Sequence, residues 1–139
     1  MKKSLIFIII LLLSTFICAK KKTYGNLTCD KLTRVYDGDT FYCNLKNTAS
    51  VFGKKIGIRV YGIDTPEIRT RNKAEKKKGY EAKRFAAKLL KSAKLIELRS
   101  VRRGKYFRIV AVVFIDGKNF AEIMIKKGFA VRYFGGKKN

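Results

Sequence analysis

The chain has 139 residues, and Lys and Arg outnumber Asp and Glu by 33 to 10, for a formal net charge of +23. There is no histidine, which excludes Ser-His and Cys-His nucleophiles, a His general base and His-bound metals. The excess charge creates a long-range field that steers polyanions and holds them through counterion release. Nucleic acid is therefore the leading partner, and anionic membrane and acidic glycans remain alternatives that charge alone does not separate.

Residues 1–19 have a positive start, an apolar run from Leu5 to Ile17 and a small Ala19. That is the layout of a secretory signal peptide, and the run is short for a membrane span, which needs roughly 20 residues. The expected location is secreted or periplasmic, with an uncleaved membrane anchor as the alternative. Cleavage would remove Lys2 and Lys3 and lower the net charge from +23 to +21. Residues 20–26 form a basic leader, 27–134 one domain and 135–139 a basic flexible tail, with no internal repeat and no second domain.

"LTCDKLTRVY" alternates and carries β-formers, so it reads as a first strand. Asp37-Gly38 marks a tight turn, "TFYCNL" the returning strand, and "KNTAS" a loop. "VFGKKIGIRVYGI" reads as a third strand, in which Gly53, Gly57 and Gly62 suggest bulges or sharp coiling. The polar "DTPEIRTRNKAEKKKG" reads as a mobile surface loop with some helix in it. In "GYEAKRFAAKLLKSAKL", Ala82, Phe85, Ala86, Leu89 and Ala93 share one face of an amphipathic helix. "LIELRSV" and "YFRIVAVVFI" read as two further strands joined through "RRGK". A short helix over "NFAEIMIKKG" follows, with Asn119 as N-cap and Gly128 as its stop. Three strands, a helix, two strands and a helix predict an α+β fold, a five-stranded OB-fold Greek-key barrel with packed helices.

Cys29 and Cys43 flank the Asp37-Gly38 turn. An oxidising compartment permits a disulfide between them, but a simple hairpin register does not set them opposite, so a bond would need a bulge or offset strands.

Four of the ten acids lie in "YDGDT" and "IDTPE". Taken singly, each motif reads as a turn. Taken together, they sit at strand ends that share one edge of the proposed meander, so Asp39 and Asp64 can converge. Two carboxylates forced together need a shared proton, an arginine or a divalent cation. Hard oxygen ligands without histidine favour Ca²⁺ or Mg²⁺ over zinc. Arg59 lies on the third strand near this edge, and its guanidinium can fork onto two phosphate oxygens. Arg108 reads, by spacing alone, as an exposed strand arginine.

In this order, "RVYDGDTF", "IRVYGIDTPE", "KGYEAKRFAAKLL" and "KYFRIVAVVFIDGKNFAEIMIKKGFA" resemble the staphylococcal-nuclease-like (thermonuclease) family, over about Lys31 to Tyr133. The resemblance implies an OB-fold nuclease that hydrolyses DNA and RNA to 3′-phosphate ends with Ca²⁺ as cofactor. It implies that Asp39 and Asp64 ligate the metal through side chains, Thr65 through its carbonyl, and Asp37 through water. It makes Arg59, Glu67 and Arg108 the catalytic residues, with Glu67 on the attacking water and the arginines on the phosphate. Lys105, Tyr106 and Tyr133 would contact substrate. The expected partners are DNA and RNA, with no stable protein partner, a monomeric state, and membrane contact only through an uncleaved N-terminal segment. A non-catalytic nucleic-acid-binding OB-fold module is the alternative. Phe107 stands where the family usually has glycine, and Gly104 replaces the acid usual before the Lys-Tyr pair. The sequence also ends soon after the second helix, where the best-known members continue with a third.

Overall fold

The computed structural model describes residues 22–136. The expected signal segment, the first residues of the basic leader and the end of the tail lie outside the described residues. Five long strands close into a barrel: β1 (Leu27–Val35), β2 (Thr40–Leu45), β3 (Ile56–Val60), β5 (Ile96–Arg103) and β6 (Arg108–Ile115). In ring order, β1, β2 and β3 pair antiparallel, β3 pairs parallel with β6, and β6 returns through β5 to β1. Closure leaves these five strands no open edge on the ring. The α+β OB-fold barrel expected from the strand count is the observed architecture.

Alternation of side chains along each strand fills the barrel. Phe41 and Cys43 of β2, Ile58 and Val60 of β3, Leu98 of β5, and Ala111 and Val113 of β6 are all buried. Burying one such large apolar side chain stabilises the fold by about 1.5–3 kcal/mol. The long helix α2 (Lys73–Ser92) lays Ala82, Ala86 and Leu90 on the core. Phe85, half buried, stacks on Phe129 with ring centroids 4.6 Å apart. The short α3 (Phe120–Lys126) contributes Phe120, Ala121 and Met124. Its N-cap is the expected Asn119, whose Oδ1 accepts the Glu122 N–H at 3.2 Å. Gly128, at φ 75°, follows its end.

Three expectations need correction. Residues 50–53 form a helical turn, α1 (Ser50–Gly53), so the third strand starts only at Ile56. Gly62, at φ 90°, breaks that strand and sets off β4 (Gly62–Asp64). The helix begins at Lys73 inside the expected loop, because Asn72 Oδ1 accepts the N–H groups of Ala74 (3.0 Å) and Glu75 (3.1 Å). The tail also contributes structure. β8 (Val131–Tyr133) pairs antiparallel with β4, setting Asp64 opposite Val131 and Gly62 opposite Tyr133. A two-residue β7 (Lys118–Asn119) completes the strands by pairing with β6. No helix of the described residues is long and apolar enough to cross a membrane.

Candidate active site

The turn between β1 and β2 delivers Asp39. Its local rule is the one read from sequence: Asp37 Oδ1 accepts the Asp39 N–H at 3.0 Å and holds the turn. Tertiary packing adds a second requirement. A Cβ on Gly38 would come within 2.7 Å of Thr65 Cγ2, so only glycine lets this turn lie against the end of β4. Asp39 then crosses to that segment. Its Oδ2 accepts the Thr65 backbone N–H at 2.9 Å and the Thr65 hydroxyl at 3.1 Å, while Oδ1 accepts the Thr40 hydroxyl at 3.0 Å. Asp39, Thr40 and Thr65 are all buried.

Arg59 stands between the two carboxylates. One guanidinium nitrogen lies 2.6 Å from Asp39 Oδ1 and the other 3.1 Å from Asp64 Oδ1. Asp39 and Asp64 do converge, and among the described residues an arginine bridges them. Burial nonetheless pushes the Asp39 carboxyl up to about 7; Arg59 lowers it and neighbouring Asp37 raises it again. This donor set contains only oxygen and sets two carboxylates beside one guanidinium, which suits a hard divalent cation. Among the described residues no group of three or more His, Cys, Asp or Glu side chains is placed to hold a metal. A cation here would rest on the two aspartates, backbone oxygen and water.

Glu67 follows on the Pro66 turn and is exposed. Its N–H meets Glu75 Oε1 of the first turn of α2 at 3.4 Å. This turn rests on the helix where Gly79 leaves room. A Cβ there would stand 2.7 Å from the Pro66 carbonyl oxygen and 2.9 Å from Ile68 Cγ2. Gly79 was not singled out in the sequence; a glycine inside a strong helical pattern is the signal that could have flagged it. Arg69, expected to belong to a mobile loop, places its guanidinium 5.2 Å from the Tyr36 ring and so ties the segment to the Asp39 turn.

Arg108 opens β6, opposite Gly57 of β3 and two positions along from Arg59. Its stem lies across Gly57, where a Cβ would come 2.8 Å from Arg108 Cγ. Its Nε donates to the Lys105 carbonyl at 3.4 Å. Lys105, Tyr106 and Phe107 form the exposed turn before it.

A cleft of about 380 Å³ runs beside Arg59, lined among others by Tyr24, Tyr61, Arg102, Val110 and Tyr133. Arg102 lies 4.3 Å over the Tyr61 ring, and its Nε is buried without a hydrogen-bond partner. A second cleft, of about 680 Å³, is lined by Asp64, Thr65, Glu67 and again Tyr133. The structure thus brings Asp39, Arg59, Asp64 and Thr65 together, sets Glu67 and Tyr133 alongside, and leaves Lys105, Tyr106 and Arg108 on the neighbouring hairpin. Cys29 and Cys43 are buried free thiols. Register shifts in β1 set Cys43 against Leu32 and Cys29 against Leu45, so the two are diagonal neighbours. The neighbouring Cys29 thiol and burial together push the Cys43 thiol up.

A closed five-stranded barrel with packed helices is the OB-fold architecture that the staphylococcal-nuclease-like resemblance implies. The model of the family described as staphylococcal nuclease homologue matches residues 57–139, and the chain belongs to that family. It is 33% identical to an uncharacterized protein of Methanocaldococcus jannaschii, over 86% of this chain and 64% of that protein. It is 35% identical to endonuclease YncB of Bacillus subtilis, over 79% of this chain and 49% of the relative. It is 31% identical to the thermonuclease of Staphylococcus hyicus, over 81% and 60%. The chain thus spans about half to two thirds of the length of these curated relatives.

Proposed function

We propose that the protein is a Ca²⁺-dependent nuclease that hydrolyses phosphodiester bonds of DNA and RNA to 3′-phosphate ends. The observation that carries this reading is the Asp39–Arg59–Asp64 bridge at the barrel rim with Glu67 on the next turn. Names of relatives as endonuclease and thermonuclease support it.

Asp39, Asp64 and the Thr65 carbonyl would hold the cation, with Asp37 behind it through water. Bound there, Ca²⁺ supplies positive charge to the phosphate oxygens as negative charge grows on them. Arg59 presents two N–H groups in a fork that fits two phosphate oxygens, and Arg108 adds a second guanidinium from β6. Glu67, three residues after Asp64, takes a proton from the attacking water. Attack at phosphorus breaks the bond to the 5′-oxygen, which takes a proton from solvent as it leaves, the proton held by Glu67 returns to solvent, and the phosphate stays on the 3′ side. Tyr133, Tyr106 and Lys105 border the path of the chain. The leader motif over residues 1–19 supports export, which the N-terminal mass of the protein recovered outside the cytoplasm would test.

The test is incubation of the full chain with single-stranded DNA, duplex DNA and RNA, with Ca²⁺ or with chelator. Cleavage with Ca²⁺ alone, lost in Glu67→Ala, is the expected result. Salt-sensitive binding without cleavage under any condition favours the binding-module reading.

A further inference from the structure

The hairpin between β5 and β6 ends in a turn that the core does not explain. The Arg108 N–H donates to the Lys105 carbonyl at 3.1 Å, closing a tight turn with Tyr106 and Phe107 at its centre. Both central residues are left-handed, at φ 55° and 57°. Turns of this geometry favour Asn-Gly, because bulky side chains are strained there. The chain nevertheless places two aromatic rings at these positions, 89% and 72% exposed. They contribute nothing to the barrel interior. Lys105, Arg108 and exposed Arg103 flank them, and the same hairpin gives Arg102, Arg103 and Val110 to the cleft beside Arg59. The strands that line that cleft carry Tyr106 and Phe107 at the turn that joins them.

We propose that Phe107, at the tip of this turn, is a base-stacking residue that adds to affinity for a strand with uncovered bases. The proposal rests on the nucleic-acid reading given above. Phenylalanine has no hydroxyl and cannot bind phosphate, so its flat apolar face is what it offers a strand. Every base presents a matching π-face, but only outside a duplex is that face uncovered. Cations around the ring bind the backbone of the same nucleotide without regard to sequence. The expected preference is for single-stranded or frayed substrates, tolerant of sequence.

The chain contains no tryptophan, so Phe107→Trp installs a unique fluorophore at the tip. In chelator, where no cleavage is needed, a single-stranded oligonucleotide should quench its emission, and an abasic strand of the same length should not. Phe107→Asn tolerates the left-handed backbone while removing the ring. It should weaken single-strand binding on the order of tenfold, leave duplex binding as in the parent, and keep the salt dependence because no cation is lost. Equal single-strand affinity of Phe107→Asn and parent overturns the proposal. So does equal quenching by the abasic strand, or emission that answers to anionic vesicles and not to oligonucleotide. Stacking without any cleavage in Ca²⁺ would leave this proposal standing and sink the nuclease reading instead.

Discussion

Asp39 and Thr65 are joined through a single carboxylate oxygen, which accepts the Thr65 N–H at 2.9 Å and its hydroxyl at 3.1 Å. The contact spans 26 residues of sequence and ties the start of β2 to the end of β4. Asp39 is thus a structural residue and a candidate metal ligand at once. Asp39→Ala should strand a buried donor and cost about 1–3 kcal/mol in urea unfolding with chelator present. Asp64→Ala leaves that contact intact and, at a less buried side chain, should cost less, while both variants lose Ca²⁺-dependent cleavage. Equal destabilisation by the two would show that the Thr65 contact is not the support inferred for it.

Arg59 separates two roles in the same way. Arg59→Ala leaves Asp39 and Asp64 facing each other without the guanidinium that bridges them. Its melting temperature in chelator should fall, and added Ca²⁺ should raise it by more than it raises the parent's, because a cation bound only to the folded state stabilises it by mass action. Cleavage should drop on the order of 10²–10³. Arg59→Lys should restore much of the stability and little of the rate, since an ammonium cannot fork onto phosphate.

Glu67 is exposed on its turn, so Glu67→Gln, which keeps the side chain's size, should affect the melting temperature far less than the rate. The rate of cleavage should fall on the order of 10²–10⁴, the usual contribution of a positioned base. Ca²⁺ affinity, read by calorimetry, should match the parent's. A large loss of Ca²⁺ binding would move Glu67 from the water to the metal.

Gly79 tests whether helix α2 places that base. Alanine in a helix interior normally gains roughly 0.5–1 kcal/mol over glycine. Here its Cβ would meet the Pro66 carbonyl oxygen at 2.7 Å, so the turn carrying Glu67 must shift. Gly79→Ala should lower kcat with little change in KM, and should not show the stability gain. A variant that is both more stable and fully active would remove Gly79 from the site.

The thiols of Cys29 and Cys43 should be slow to alkylate in the folded protein, since both are buried and the Cys43 thiol is pushed up by Cys29 and by burial. Unfolding in denaturant without reductant should release the thiols of Cys29 and Cys43 from protein kept reduced, with Cys18 counted apart where residues 1–19 are retained. If protein purified from an oxidising compartment releases none, the diagonal pair has closed into a disulfide.

Much of the barrel was legible because its signals are local. Alternation marked β1, β2, β5 and β6, and Asn119 with Gly128 bounded α3. The missed helix start at Asn72 was also legible, with Glu75 three residues on, but the run of charged residues around it hid the cap. The helical turn at 50–53 was not, since Val51 and Phe52 are good β-formers and their exposure is set by what surrounds them. β8 was hidden too: three residues have no periodicity to read, and only the presence of β4 alongside makes them a strand.

The amino-acid sequence by itself determined the strand and helix order of the barrel, the absence of histidine chemistry, the polyanion-attracting charge and the two acidic turns. Each follows from composition or from side-chain preferences over a few residues. Only the tertiary structure decided that Asp39 hydrogen-bonds Thr65, that Arg59 bridges Asp39 and Asp64, that Gly38 and Gly79 are required by neighbours rather than by their own backbone, and that Phe107 stands uncovered at a hairpin tip. Those contacts join residues far apart in the chain. Their distances depend on barrel closure, which no local pattern encodes.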